Sequence, residues 1–340
     1  MASSRSTVES AQGVVEAPAL PEGTFEIVEE VEGLLAGVGE RAPEHLVGPA
    51  TEALTSGGKR LRPLLLILSA RLGEPEDEAL LKATMAIEVL HTATLVHDDI
   101  VDRAETRRGA PTTVARYGRE IAVATGDYLF AETFMALAEI GDPRLIRAFS
   151  EASQGLAAGE LEQYRASAAG ASDADGENVE VYLDHIRMKT AGLFKAACVA
   201  GGTLGGLSLR QIDALATYGQ ALGIAFQMSD DIMDLVGKPG LMGKGIGTDL
   251  VEGTVTLPII FALREGDAGT MRRALVDPNP SPEVLEAAIE AMLATDAIAR
   301  TEAWARGEID AAFEGLGFLP GGPEREVLEA VAAEVVGRSA

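Results

Sequence analysis

The sequence predicts an all-α fold, a single large helical bundle. Apolar residues recur at helical spacing nearly throughout, strand-like alternation is almost absent, and the chain is rich in Ala and Leu with only 4% aromatic residues. In order, the periodic runs are Leu61 to Leu72, Leu80 to His97, Ile121 to Ile140, Arg144 to Tyr164, Val179 to Thr203 and Gln211 to Val236. Breakers punctuate them at Gly73-Glu74-Pro75, Gly109-Ala110-Pro111, Gly141-Asp142-Pro143, Gly237-Lys238-Pro239-Gly240 and Leu319-Pro320-Gly321-Gly322-Pro323. Pro cannot continue a helix, and Gly leaves one through positive φ without steric cost.

With 340 residues and 47% hydrophobic content, the chain has the means to bury a substantial core. No Pro/Gly/Ser-rich linker divides it, so residues 24–340 are expected to form one domain. Residues 1–23, rich in Ser, Ala and Glu and lacking a periodic apolar face, are expected to be a disordered tail. No apolar stretch follows Arg5, so the tail does not read as a signal peptide. The single cysteine, Cys198, cannot form an intrachain disulfide, which agrees with a reducing, cytoplasmic setting. Flanked by Ala196, Ala197, Val199 and Ala200, it reads as a small core residue. No stretch of eighteen uncharged apolar residues occurs, so no transmembrane segment is expected, while contact with a membrane surface stays compatible. A formal charge of −25 argues against a nucleic-acid partner, because phosphate backbones demand a basic face.

Two clusters of one pattern, Asp98-Asp99-Ile100-Val101-Asp102 and Asp230-Asp231-Ile232-Met233-Asp234, lie 132 residues apart. Residues four apart share a helix face, so Asp98 stands beside Asp102 and Asp230 beside Asp234. One such cluster in so acidic a chain would be solvated surface charge. Here apolar runs, His91 to Val96 and Ala221 to Phe226, lead directly into both, and carboxylates crowded at the edge of a core need cations. Magnesium suits them, because it takes hard oxygen ligands from a few carboxylates and completes its shell with water and substrate phosphate.

Positive charge is scarce and concentrated. Lysine occurs only at 59, 82, 189, 195, 238 and 244. Gly57-Gly58-Lys59-Arg60-Leu61-Arg62-Pro63 opens an apolar helix whose start favours an anion, although its spacing is not that of a Walker loop. Arg107-Arg108-Gly109 follows the first aspartate cluster; two adjacent arginines diverge, so one can serve a metal-bound phosphate and the other a second anion.

These segments, together with His91-Thr92-Ala93-Thr94-Leu95-Val96-His97, Gly126-Asp127-Tyr128, Lys189-Thr190-Ala191 and Gly223-Ile224-Ala225-Phe226-Gln227, resemble the trans-isoprenyl (polyprenyl) diphosphate synthases over roughly Glu40 to Leu263. The likeness is nearest to medium- and long-chain members that make quinone side chains. It implies an isoprenoid-synthase bundle around a central cavity and a role for each residue that matches a family motif. Asp98, Asp102 and Asp230 would hold magnesium, with Asp234 included in the metal site and Asp99, Asp231 and Asp234 acting through water or at one remove. Arg107, Lys189, Thr190, Gln227 and Lys244 would complete the site of an allylic diphosphate (dimethylallyl, geranyl, farnesyl or geranylgeranyl). Lys59, Arg62, His91 and Arg108 would hold isopentenyl diphosphate. His97 reads as structural, and a homodimer is implied.

One departure stands out. Where many members carry a lysine in Gly-Lys-x-Thr-Leu-Pro, this chain has Gly253-Thr254-Val255-Thr256-Leu257-Pro258, which removes a charge from the allylic site. Positions one, two and three turns before Asp98 are Ala93 and Thr94, Leu90, then Ala86 and Ile87, none aromatic. Since short-chain members of the family commonly place an aromatic ring near the first level, the resemblance implies a product of about thirty to fifty carbons. Phe130 and Phe134 are candidates for the floor of its tunnel. The alternatives are a short-chain geranylgeranyl or farnesyl diphosphate synthase, a class I terpene cyclase, or a non-catalytic subunit. The basic segment at Lys59 to Arg62 argues against a cyclase, and two complete clusters argue against a non-catalytic subunit.

Overall fold

In the computed structural model, the described residues are 19–169, 178–236, 247–277 and 279–337. Their order is α1 (Thr24–Glu40), α2 (Val47–Thr55), α3 (Leu61–Arg71), α4 (Asp77–Val101), a hairpin of β1 (Thr106–Arg107) and β2 (Ala110–Pro111), α5 (Thr113–Tyr117), α6 (Arg119–Ile140), α7 (Pro143–Ala169), α8 (Val179–Ile186), a π-helical turn (Arg187–Ala191), α9 (Gly192–Leu204), α10 (Leu209–Val236), α11 (Thr248–Val251), α12 (Leu257–Glu265), α13 (Ala268–Val276), α14 (Pro282–Leu293), α15 (Ala297–Leu316) and α16 (Pro323–Gly337). Each expected helical run is present. The run Val179 to Thr203, however, is interrupted by the π turn, because a one-residue insertion barely disturbs apolar periodicity. Of the expected tail, residues 1–18 lie outside the described residues.

Helix α3 is apolar on nearly every side and accordingly sits inside the bundle, with Leu65, Leu66, Ile67, Leu68 and Ala70 buried. Small residues let α9 approach both α3 and α10: a Cβ on Gly201 would lie 2.3 Å from the Leu66 carbonyl oxygen, and one on Gly219 would lie 2.8 Å from the Phe194 carbonyl oxygen. Close approach along these helices brings the basic start of α3 near the acidic end of α10. One hydrophobic core runs from Val31 in α1 to Val335 in α16 and includes Cys198, whose thiol burial pushes up to about 12.

Helices α4 and α6 run antiparallel, tied by Lys82 to Glu139 at 3.1 Å near one end and by His97 near Asp127 at 3.6 Å near the other. Glu76 begins α4 by accepting hydrogen bonds from the Glu78 and Ala79 amides. His97 fills the space above Gly126, where a Cβ would come within 2.2 Å of its ring, and stacks on Phe130 with centroids 5.6 Å apart. It is thus a packing residue, as expected. By length and composition, α4 and α6 (mean hydropathy 1.4 and 1.3) are long and apolar enough to cross a membrane, which a criterion of eighteen uncharged residues does not register. Yet 72% of the apolar stretch of α4 is buried within the protein, as a core helix requires, against 39% for α6.

Candidate active site

Both aspartate clusters fall in the last turns of long helices, where the negative end of the helix dipole adds to their own charge. Burial raises the Asp98 carboxyl to about 7; nearby Glu160 and Asp102 push the same way, and Lys189 and Arg107 oppose them. Asp102 caps α4 and is exposed. Asp99 is only 4% exposed, and its Oδ1 accepts from Nε and Nη2 of Arg107, each at 2.9 Å. Lys189 projects from the π turn to within 2.7 Å of Glu160. Burial disfavours its ammonium, but Asp98, Glu160 and Asp102 outweigh that effect and raise its pKa. The fold therefore supplies the first cluster with cations that its own helical turn lacks.

Arg107 and Arg108 sit on the β hairpin, where Arg108 and Gly109 at its tip have φ of 53° and 79°. Two successive left-handed residues match the turn that a twisted two-residue hairpin needs. The arginines diverge: Arg107 turns back to Asp99, while Arg108 donates to the Gly57 carbonyl. Gly58 has to be glycine for this docking, since its φ is 156° and a Cβ would come within 2.9 Å of the Arg108 guanidinium.

Within the basic segment the three cations have different parts. Lys59 is exposed at the rim. Arg60, held at φ 46°, is buried against Glu32 and Glu88, each at 2.5 Å, and locks the start of α3. Arg62 lies over the Phe194 ring at 4.6 Å and points Nη1 at His91 Nε2, 3.2 Å away. A guanidinium only donates, so His91 accepts through Nε2 and carries its proton on Nδ1. Burial, then Arg62, Arg108 and Arg107, hold the His91 pKa well below its ordinary value, which keeps the ring neutral. Burial lowers Arg62 to about 10 despite Glu88 and Asp230, and its Nε is buried without a hydrogen-bond partner. An unsatisfied guanidinium N–H beside a neutral imidazole and Arg108 is a receptor for an anion.

In the second cluster Asp230 is half-buried and close enough to Arg62 to act on its charge. Asp231 is 3% exposed; its Oδ2 accepts from the Tyr182 hydroxyl at 2.6 Å and its Oδ1 from Gln227 Nε2 at 2.8 Å. Gln227 Oε1 in turn accepts from Thr190 Oγ1 at 2.7 Å. Burial raises the Asp231 carboxyl to about 7, against the two hydrogen bonds and together with Asp230 and Asp234. The carboxylate of Asp234 accepts from the Thr248 and Asp249 amides, both at 3.1 Å, and so starts α11. Lys244 lies outside the described residues.

Among the described residues no three His, Cys, Asp or Glu side chains form a closed metal cage. The donors instead sit at the ends of α4 and α10, hard carboxylate oxygens suited to a divalent cation whose shell a diphosphate completes. The structure adds Glu160, Glu88, Phe194 and Tyr182 to the residues found from sequence. Little could have singled them out, because Glu160 is one acid among many and the partners of Tyr182 and Glu88 are distant in the chain.

Residues 43–292 match the family model for polyprenyl synthetase. The chain is 36% identical over 303 residues to heptaprenyl diphosphate synthase component 2 of Geobacillus stearothermophilus, covering 86% of this chain and 91% of that one. It superposes on the crystal structure of a decaprenyl diphosphate synthase from Rhodobacter capsulatus with a TM-score of 0.83 and 35% identity, covering 94% of this chain and 98% of the other. A polyprenyl synthase from Caulobacter crescentus, crystallised with calcium and isoprenyl diphosphate, gives 0.85 and 32%, covering 93% and 96%.

Proposed function

The chain belongs to the polyprenyl synthetase family, and on that premise we propose that it adds isopentenyl diphosphate to an allylic diphosphate, making a linear polyprenyl diphosphate of about thirty to fifty carbons. It is a prenyltransferase. One observation carries the reading of its site: a receptor of Arg62, neutral His91 and Arg108 adjoins the carboxylate of Asp230, and Arg107 acts on both His91 and Asp98. A diphosphate can be gripped directly by the first group and through a cation by the second, which is what two diphosphate substrates need.

Asp98, Asp102 and Asp230 would hold magnesium, which when bound stabilises the charge developing on the departing allylic diphosphate. Arg107 and Lys189, fixed by Asp99 and Glu160, bring positive charge to the same point. Thr190 and Gln227 bond to each other and hold Asp231. Asp234, with both oxygens engaged by α11, reaches a cation through water, and Lys244 adds charge to the allylic site. Arg62, Arg108, Lys59 and the Nδ1–H of His91 orient isopentenyl diphosphate so that its alkene carbon faces the allylic carbon. The released diphosphate takes the proton lost at the end, so no side chain is assigned as base.

Ala93 and Thr94 are buried one turn below the aspartates, with Leu90, Ala86 and Ile87 buried beneath them. They place only small and aliphatic side chains where the growing chain would run along α4. Phe130, stacked on His97, walls its upper part, and Phe134, a turn deeper on α6, is placed for its floor. The outer face of α6, with Val123 and Met135 exposed, suits a second copy of this chain, and we take the enzyme to be a cytoplasmic homodimer that meets membranes only at their surface.

The test is an incubation of purified protein with magnesium, labelled isopentenyl diphosphate and each allylic primer, followed by product sizing. Products of about thirty to fifty carbons that vanish with chelator are expected. A product of twenty carbons or fewer would overturn the length, and no incorporation by the pure chain would overturn self-sufficient activity. Light scattering checks the dimer.

A further inference from the structure

We propose that Tyr182 is a positioning residue for this reaction: with Thr190 it clamps the π turn that bears Lys189 to Asp231, so the middle aspartate of the second cluster serves the Lys189 turn. The inference rests on the function proposed above and assigns a task to a residue outside both aspartate clusters. Its starting point is helical geometry. Tyr182 and Thr190 are eight residues apart, a spacing that in a regular α-helix places side chains about 80° apart. The π turn Arg187–Ala191 begins between them, contains Thr190, and absorbs one residue without advancing the helix. The pair then behaves as residues about seven apart, two turns along one face. Both hydroxyls accordingly reach α10, Tyr182 bonding Asp231 directly and Thr190 bonding it through Gln227.

Lys189, one residue earlier, is turned away from that face and meets Glu160 on α7 and the field of Asp98 on α4. Its direction depends on the rotation of the π turn, which the Tyr182 hydroxyl fixes from the preceding helix and the Thr190 hydroxyl from within the turn. The clamp is buried: Tyr182 is 6% exposed, and burial followed by the Asp231 charge holds its hydroxyl well above its ordinary pKa, so it remains a donor. Asp231 accepts a hydrogen bond on each oxygen in this network, unlike an aspartate turned toward a cation.

Tyr182→Phe removes the direct bond and little volume. Expected are a rise of about tenfold in the Michaelis constant for the allylic substrate, near-constant values for isopentenyl diphosphate, and a similar loss in calorimetric affinity for magnesium with inorganic diphosphate. Amide hydrogen exchange should quicken at residues 187–191 and stay unchanged in α4. Thr190→Val, which cuts the other arm, should do the same if Tyr182→Phe folds poorly. In combination with Lys189→Met, Tyr182→Phe should add little, because it acts through Lys189. Multiplied effects in the double variant, equal losses for both substrates, or unchanged exchange in the turn would each overturn the clamp. Exchange reports on the clamp even in a protein that transfers no prenyl group, which separates its failure from failure of the functional reading.

Discussion

Asp99 and Asp231 hold the same place in the two clusters and are buried to the same degree, at 4% and 3% exposure, yet their surroundings differ in kind. Asp99 is closed by the Arg107 guanidinium, which the following hairpin folds back onto it. Asp231 is held by neutral donors, Tyr182 and Gln227. The third aspartates differ as well, Asp102 ending α4 in the open and Asp234 starting α11. Below the first cluster the α4 side chains at the fourth and fifth positions are Ala93 and Thr94; at the fourth position below the second, Phe226 packs on Phe194 with centroids 5.4 Å apart. A repeated motif is therefore not a repeated site. The first cluster is compensated by cations and opens onto small residues, while the second is held by dipoles above a wall of rings.

The largest effect expected is loss of turnover. Asp98→Ala, Asp102→Ala and Asp230→Ala should each lower kcat/KM by about a thousandfold or more, because each would lose a cation ligand from the ionising step. Apo melting temperatures should hold or rise, since the carboxylates repel one another. Steady-state kinetics with thermal melts checks both, and near-normal turnover in any variant would remove that residue from the site. Next is product length. Ala93→Phe should shorten the product to fifteen or twenty carbons while sparing the first condensation, whereas Phe226→Ala should leave the length unchanged; product sizing under excess isopentenyl diphosphate decides whether the chain grows along α4.

The two buried middle aspartates can be compared by urea melts. Arg107→Leu should destabilise the protein by about 2–3 kcal/mol, less than the 3–5 for a fully buried pair because Arg107 is partly exposed. Tyr182→Phe should cost only about 1 kcal/mol, the loss of one hydrogen bond. Equal losses would erase the distinction between charged and neutral compensation.

A pH series adds to this. Asp98 and Asp231 titrate near 7 when folded and near about 4 when unfolded. Their protonation favours the folded state below the unfolded value, and that contribution is lost as pH rises through 7. Apo stability should therefore fall between pH 5 and 8, and Asp231→Asn should flatten part of the slope. A rising profile would contradict the burial of these carboxyls.

The smallest effect concerns Thr254, half-buried between α11 and α12, with its amide bonded to the Asp249 carbonyl at 2.8 Å. Thr254→Lys should lower the allylic Michaelis constant about threefold and leave that for isopentenyl diphosphate alone, because it restores positive charge beside the second cluster. A change confined to isopentenyl diphosphate would place residue 254 elsewhere.

Local pattern made much of this protein legible. Helical periodicity marked α3, α4, α6, α7 and α10, because amphipathic spacing is a property of neighbours in the chain. The aspartate clusters and the divergent Arg107 and Arg108 were within reach of motif and spacing, and the family resemblance named Arg62 and His91 as members of one site. Partners across the chain were not. The Tyr182 hydroxyl meets a carboxylate 49 residues away, and Arg60, set in the same basic segment as Arg62, is held by Glu32 and Glu88, each 28 residues away. The π turn leaves no mark in the apolar pattern because one added residue rotates a helix face without breaking its apolar run. The sequence by itself determined the helices and the stock of charge at their ends; the tertiary structure alone decided which carboxylate meets a cation, which meets a hydroxyl and which caps a helix, since those choices depend on distance in space and on burial.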